Sequence, residues 1–109
     1  MASTDMREPT FLVLSALASG RKHGYAIITD ADAASSGRVK LKAGTLYTAL
    51  DRLSREGLVS AAGEEVVDGR LRRYYELTND GADALATEAR RQQANATRAL
   101  TSLAARPAL

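Results

Sequence analysis

The chain has 109 residues, of which 45% are hydrophobic and 5% aromatic, with no cysteine and a formal net charge of +2. This length fits one domain, the lack of cysteine excludes disulfides, thiolate chemistry and zinc fingers, and no apolar run approaches the ~20 residues of a membrane span. We therefore expect a cytoplasmic protein that has no membrane partner and requires no cofactor.

The positive charge is concentrated in the middle of the chain. Residues 36–75 hold eight Lys or Arg against five Asp or Glu, a net charge of +3, whereas residues 1–35 carry −1 and residues 76–109 are neutral. An excess of this size is common on protein surfaces, so its position matters more than its size. It falls on a segment whose pattern predicts a helix followed by a hairpin.

Two helices are predicted in the first third of the chain. Pro9 suits a first helical turn, and the apolar run after it, up to Gly20, predicts helix one. We expect a turn over residues 20–24 and then helix two from Tyr25 to about Ala34. Its narrow apolar stripe is typical of a helix that packs against one neighbouring layer.

A short strand is predicted next, over residues 38–42. Basic and apolar side chains alternate there, which is the period of a strand with one buried face. Val39 and Leu41 would face inward.

Helix three is predicted from Gly44 to Glu56. Four apolar residues recur at the spacing of one helical face: Leu46, Ala49, Leu50 and Leu53. The same spacing leaves Thr45, Thr48, Arg52 and Arg55 on the opposite face. Threonine can contact a phosphate or a thymine methyl group, and arginine can pair with guanine or phosphate. The alternative is an ordinary solvated helix face, but the hairpin that follows favours DNA.

A two-residue hairpin is predicted around Asp68-Gly69. The segments 59–67 and 70–77 would be its strands, because Asp-Gly tolerates the positive φ angles of a type I′ turn. Arg70 and Arg72 flank the tip, where a wing reaches a phosphate or the minor groove. Alternatively, these arginines only deter aggregation at a sheet edge.

The chain from Thr78, a predicted N-cap, is expected to be helical to about Ala105. Six residues recur at the spacing of a two-helix seam: Leu85, Ala89, Gln92, Ala96, Ala99 and Leu103. A helix of this length extends past a core of about 75 residues, which predicts homodimerisation through the seam. For its first turns, packing against helix one of the same chain is the alternative.

Catalysis is not predicted. His23 is the only histidine and no cysteine accompanies it, so neither a nucleophile–base pair nor a metal cluster can be assembled around it. His23 lies at a predicted helix start, where its ring can cap the helix or touch a phosphate.

Five motifs together resemble the PadR family of bacterial transcriptional regulators. They are Arg7–Leu14, His23-Gly24-Tyr25, Ala43–Leu50 with Arg52-Leu53, Glu56–Val59, and Arg72–Thr78 with Gly81. The resemblance covers roughly residues 7 to 90, and the single long C-terminal helix is similar to that of the short-tailed members. It implies a winged-helix dimer on a near-palindromic operator, usually acting as a repressor.

The resemblance also implies which residues approach DNA. Those at the start of helix three are Lys42, Thr45, Tyr47 and Thr48, those at the start of helix two are His23 and Tyr25, and those in the wing are Arg70 and Arg72. We expect Tyr47 to combine packing with a phosphate contact, and Tyr25 to be more structural. The commonest family form has proline where this chain has Ala43 and Thr48, so its operator should be particular to it.

The predicted fold is therefore mainly α with a small β-hairpin. Residues 1–77 would form a winged helix-turn-helix DNA-binding domain, and residues 78–109 a C-terminal dimerisation helix within the same structural unit. A protein-interaction module and a small-molecule sensor are the alternatives. The sequence leaves open whether a small-molecule effector binds. The chain has no tryptophan and no aromatic residue after Tyr75 with which to build a stacking pore.

Overall fold

The computed structural model describes residues 6–108, which form four helices and one small sheet. The elements in chain order are α1 Glu8–Leu17, β1 Lys22–His23, α2 Gly24–Ala34, α3 Ala43–Arg55, β2 Val59–Val67, β3 Arg70–Leu77 and α4 Asn79–Ala104. The sheet is antiparallel with β3 between β1 and β2. This confirms the predicted winged helix-turn-helix fold with a long C-terminal helix.

The core lies between the three N-terminal helices and the base of the hairpin. Its fully buried members include Val13 and Leu14 of α1, Ile27 of α2, and the three leucines of α3, Leu46, Leu50 and Leu53. The leucines are 0% exposed, as the helical spacing predicts. Since the three leucines of α3 point inward, the opposite face of that helix is left mainly to polar residues.

The predicted strand over residues 38–42 is wrong, because this segment pairs with no other strand. Three side-chain contacts hold it instead: the Val39 amide donates to Ser35 Oγ at 2.8 Å, and Arg38 and Lys40 form ion pairs with Glu8 and Asp32. Val39 and Leu41 are half-buried and Leu41 packs against the core. The alternation therefore identified the inward side chains but not the backbone hydrogen bonding.

The third strand of the sheet comes from the segment that was predicted to be a plain turn. Lys22 and His23 of β1 pair with Tyr75 and Tyr74 of β3. The predicted hairpin turn is confirmed, since Asp68 and Gly69 have φ angles of 51° and 75°.

The start of α4 is bonded to the end of α3. Thr78 caps α4 as predicted, since its Oγ1 accepts from the Gly81 amide at 3.0 Å. The Thr78 hydroxyl also donates to the carbonyl of Gly57 at 2.6 Å, and its amide donates to the carbonyl of Leu58 at 3.1 Å. One residue therefore connects the C-terminal end of α3 to the N-terminal end of α4.

Candidate nucleic-acid interface

The outward face of α3 is polar, as predicted. Thr45, Thr48, Arg52 and Arg55 are all exposed. The two threonines lie in the first half of the helix, near the end where free backbone amides give a positive potential. Lys42 is the N-cap residue at this end and its side chain is also exposed. Hydroxyl groups, a lysine and a helix N-terminus therefore share one patch of surface.

The two arginines in the second half of α3 are held by contacts within the chain. Arg52 donates from Nη1 to both Glu56 oxygens at 3.3 Å and from Nη2 to Thr10 Oγ1 at 3.0 Å. Arg55 pairs with Asp51 at 2.7 Å. Both ion pairs have the i, i+4 spacing that neighbours on a helix surface adopt. The charge at this end of α3 is therefore largely compensated.

Three other cations that were predicted to contact DNA have no such partners. Among the described residues, no carboxylate oxygen lies within 4.0 Å of the charged groups of Lys42, Arg70 or Arg72. Arg73 pairs with Glu64 at 3.8 Å on the other face of the hairpin. Glu65 lies directly across the strand pair from Arg72, without an ion pair.

Tyr47 connects α3 to the start of α2. Its side chain is 43% exposed, and its ring packs against Gly24, where a Cβ atom would lie only 2.9 Å from Tyr47 Cζ. No other residue type fits at position 24 without moving the ring. Tyr47 is thus packed on one side and accessible on the other, and its phosphate contact stays a prediction.

Tyr25 differs from its prediction. It was expected to be more structural than Tyr47, but it is 75% exposed. The reason is the phase of α2, whose buried positions are Gly24, Ile27 and Ala31. These share one helical face, and Tyr25 lies off it. Its ring is therefore free for an external contact.

His23 caps α2. Its Nδ1 accepts from the Ala26 amide at 3.3 Å, and its ring and the Tyr74 ring form a T-shaped pair at a centroid distance of 5.5 Å. The predicted capping role is confirmed, while a phosphate contact by His23 stays a prediction.

Comparison with known proteins agrees with this geometry. Residues 13–87 match the family model described as the transcriptional regulator PadR-like family. The chain belongs to the PadR-like family. It is a transcriptional regulator of that family and not an enzyme.

Individual relatives of the PadR-like chain support the assignment. A transcriptional regulator from Mycobacterium tuberculosis is 48% identical over 52 residues, covering 48% of this chain and 47% of that protein, so the match spans about half of the relative's length. A PadR family transcription regulator from Clostridium difficile has a TM-score of 0.65 at 28% identity and covers 89% of this chain and 97% of its own. Bacillus subtilis PadR in complex with operator DNA shares the fold, with a TM-score of 0.62 at 22% identity, over 71% of this chain and 44% of its own.

One arginine near the wing of this PadR-like chain was missed by the sequence analysis. The Arg21 guanidinium lies 4.3 Å from the centroid of the Tyr74 ring, and its Nη1 donates to the Ala62 carbonyl at 2.8 Å. The prediction of a plain turn over residues 20–24 gave Arg21 no partner. A glycine within a predicted strand, here Gly63, signals a bulge and was the available clue.

The predicted seam of the PadR-like chain divides into two parts. Leu85 packs against the core of its own chain and Ala89 is half-buried, which matches the intramolecular alternative for the first turns of α4. The remaining four members are exposed: Gln92, Ala96, Ala99 and Leu103. Their role in a dimer stays a prediction.

Gln92 is also engaged within its own helix, at a buried carboxylate. Its amide donates to Glu88 at 2.9 Å, and Arg91 donates to the same carboxylate from Nε at 3.0 Å. Glu88 is 3% exposed. The hydrogen bonds from Arg91 and then Gln92 lower its pKa to about 2, so Glu88 is ionised at neutral pH and its charge is compensated by Arg91.

Metal-binding clusters and membrane-spanning helices are both absent between residues 6 and 108. No group of three or more acidic or histidine side chains is arranged to hold a metal ion there. In the same range no helix has both the length and the apolarity needed to cross a membrane.

Proposed function

We propose that this chain is a homodimeric, sequence-specific DNA-binding regulator, acting as a repressor on a near-palindromic operator. The observation that carries the proposal is a set of unpaired cations at the start of α3 and in the hairpin that follows it. Lys42 lies at the start of α3, and Arg70 and Arg72 lie at the tip end of β3 in the wing. Unpaired cations at these places suit a duplex whose phosphates run on both sides of the major groove.

The first half of α3 would enter the major groove. Its N-terminal end offers free backbone amides and a positive helix dipole to phosphate. Thr45 and Thr48 would then face base edges or the backbone, and Lys42 a phosphate. Bacillus subtilis PadR, which was crystallised in complex with operator DNA, has the same fold and supports DNA binding by analogy.

The second half of α4 would form the dimer. From Arg90 onward every described residue is exposed, and Leu100 and Leu103 are 68% and 57% exposed. A helix without tertiary contacts is marginally stable in water, so a partner helix would stabilise it. Two copies related by a two-fold axis would place two α3 helices on successive major grooves, which is why the operator would be near-palindromic.

In this proposal the two parts of the chain have separate tasks. Residues 1–77 bind DNA and residues 78–109 hold the two copies together, within one structural unit. Repression follows if the operator overlaps a promoter, because bound dimer would then exclude the polymerase.

Fluorescence anisotropy tests the proposal. Purified protein is titrated into labelled DNA from upstream of its own gene and into scrambled DNA of the same composition, over a salt series. We expect a preference of about 10³-fold or more for the upstream DNA and a steep decrease in affinity with salt. Weak, equal binding to every fragment of a genome-wide selection, or no binding at low salt, would contradict it.

A charge in the seam tests the dimer. Ala96→Glu should favour monomers and weaken operator binding, because two like charges would face each other across the two-fold axis. Ala94→Glu is the matched control, since Ala94 is exposed and lies about 200° around the helix from Ala96. Sedimentation velocity gives the oligomeric state, and equal dimer stability in both variants would contradict the seam assignment.

A further inference from the structure

The wing changes direction at a β-bulge. Ala61 of β2 pairs with Tyr75 and Glu64 pairs with Arg73, so Ala62 and Gly63 together lie opposite the single residue Tyr74. An extra residue in one strand interrupts the regular ladder, bends the strand and increases its twist. The geometry at this bulge therefore determines where the rest of the hairpin points.

Arg21 contacts both strands at the bulge. It lies next to β1, on the opposite side of β3 from β2, and its Nη1 reaches the Ala62 carbonyl at 2.8 Å. On the way its guanidinium lies over the Tyr74 ring at 4.3 Å, a cation–π distance. Gly63 allows this approach, since its φ is +106° and a Cβ there would lie 3.1 Å from Arg21 Nη1.

Further contacts lead from Tyr74 to α3. The Tyr74 ring meets His23 edge to face at an interplanar angle of 85°. His23 caps α2, and the next residue, Gly24, packs under the Tyr47 ring of α3. The bulge of the wing is thus connected to α3 through the contacts of Arg21, Tyr74 and His23, and then through the peptide bond from His23 to Gly24.

We propose that Arg21 is a positioning residue that fixes the direction of the wing relative to α3, so that Arg70 and Arg72 reach the DNA backbone. The proposal rests on the proposed DNA-binding function. From Tyr74 to Arg70 the strand extends roughly 13 Å. A change of about 15° at the bulge would therefore move the tip by roughly 3 Å, enough to break a hydrogen bond or a close ion pair.

A double-mutant cycle separates positioning from direct contact. Operator affinity is measured for the wild type, for Arg21→Ala, for the wing variant Arg70→Ala/Arg72→Ala, and for the triple variant. Alone, Arg21→Ala should weaken binding about 5- to 10-fold and reduce the salt dependence. In the wing variant it should add no more than about 2-fold, because the contacts it positions are already absent. Independent, multiplicative losses would mean that Arg21 binds DNA itself, and would overturn the proposal.

Arg21→Lys is a further control for the cycle, because it removes the guanidinium but keeps the positive charge. A lysine lacks the planar guanidinium that lies over Tyr74 and reaches Ala62 at the same time. We expect its affinity to be close to that of Arg21→Ala. Wild-type affinity with lysine at this position would indicate that only the charge matters and would contradict positioning.

Hydrogen exchange tests, without DNA, the clamp that Arg21 forms with Ala62 and Tyr74. Arg21→Ala should increase amide exchange over residues 61–73, while Arg106→Ala, which removes the same charge beyond α4, should not. Because no DNA is present, increased exchange in the wing supports the clamp even if operator binding is never found. An unchanged wing in Arg21→Ala contradicts the clamp even if the protein binds its operator as proposed.

Discussion

Two pairs of arginines in this molecule differ in what their charges can do. Arg52 and Arg55 in the second half of α3 each have a carboxylate one helical turn away, and Arg52 also bonds to Thr10. Arg70 and Arg72 in the wing have no ion pair among the described residues. Arginine content alone therefore does not locate a phosphate-binding surface. The partners of each arginine within its own chain must also be known.

Two physical effects distinguish the pairs. A paired arginine must give up its partner before it can bind a phosphate, which costs about 0.2–1 kcal/mol for an exposed pair. The neighbouring carboxylate also repels phosphate and decreases the number of counterions released on binding. Both effects direct the DNA backbone toward the wing and toward Lys42, away from the C-terminal half of α3.

The largest expected effect is that of removing the wing pair. Arg70→Ala/Arg72→Ala should make the slope of log affinity against log salt less steep by about 1.8, since each phosphate contact contributes about 0.9 to its magnitude. Extrapolated from 1 M, this corresponds to roughly 60-fold weaker binding at 0.1 M salt, for operator and scrambled DNA alike. Anisotropy over a salt series measures both quantities. An unchanged slope would show that Arg70 and Arg72 do not contact DNA phosphates.

The matched variant Arg52→Ala/Arg55→Ala removes the same charge from the paired positions. We expect less than about a 3-fold change in affinity, since compensated surface charges contribute little. This expectation departs from the sequence-based prediction that Arg52 contacts DNA. If the two double variants lost affinity equally, the paired arginines would contribute as much to DNA binding as the unpaired ones, as the sequence-based prediction for Arg52 requires.

A smaller and more selective effect is expected at Thr48. Thr48→Ala should change the preference among operators that differ at one base pair by about 5-fold, which is within the range for a single base contact. Its affinity for scrambled DNA should stay the same. Competition against a panel of single-substitution operators measures this, and a uniform loss across the panel would show that Thr48 contacts the backbone instead.

The smallest effect is expected at Glu65, which lies across from Arg72. Glu65→Gln should tighten binding to operator and to scrambled DNA by about 2- to 3-fold at low salt, because it removes a negative charge beside the phosphates. Glu64→Gln is the control, since Glu64 is paired with Arg73 on the other face. Weaker binding in Glu65→Gln would show that this carboxylate orients Arg72 rather than opposing the DNA.

Local patterns were sufficient for most of the fold. The leucines of α3 repeat at helical spacing, Asp68-Gly69 specifies its own turn, and Thr78 caps the helix that follows it. In each case the residues that interact are within a few positions of one another in the chain. Periodicity and short-range chemistry therefore predicted them correctly.

The features that were missed depend on residues far apart in the chain. A two-residue strand is too short to show a period, and the partner of His23 is Tyr74, about fifty positions away. The bond from Arg21 to Ala62 and the bond from Arg52 to Thr10 likewise each join distant segments. The alternation over residues 38–42 was misleading because an extended segment held by ion pairs has the same pattern as a strand.

The bonds of Thr78 to Gly57 and Leu58 make α4 a lever attached to the end of the recognition helix. With 26 residues, α4 is about 39 Å long. A rotation of about 5° at Thr78 would displace its far end by roughly 3 Å, close to the rise of one base pair. In the proposed dimer, the stiffness of this junction and of the packing of Leu85 against the core would set how strictly the protein measures the distance between its two half-sites.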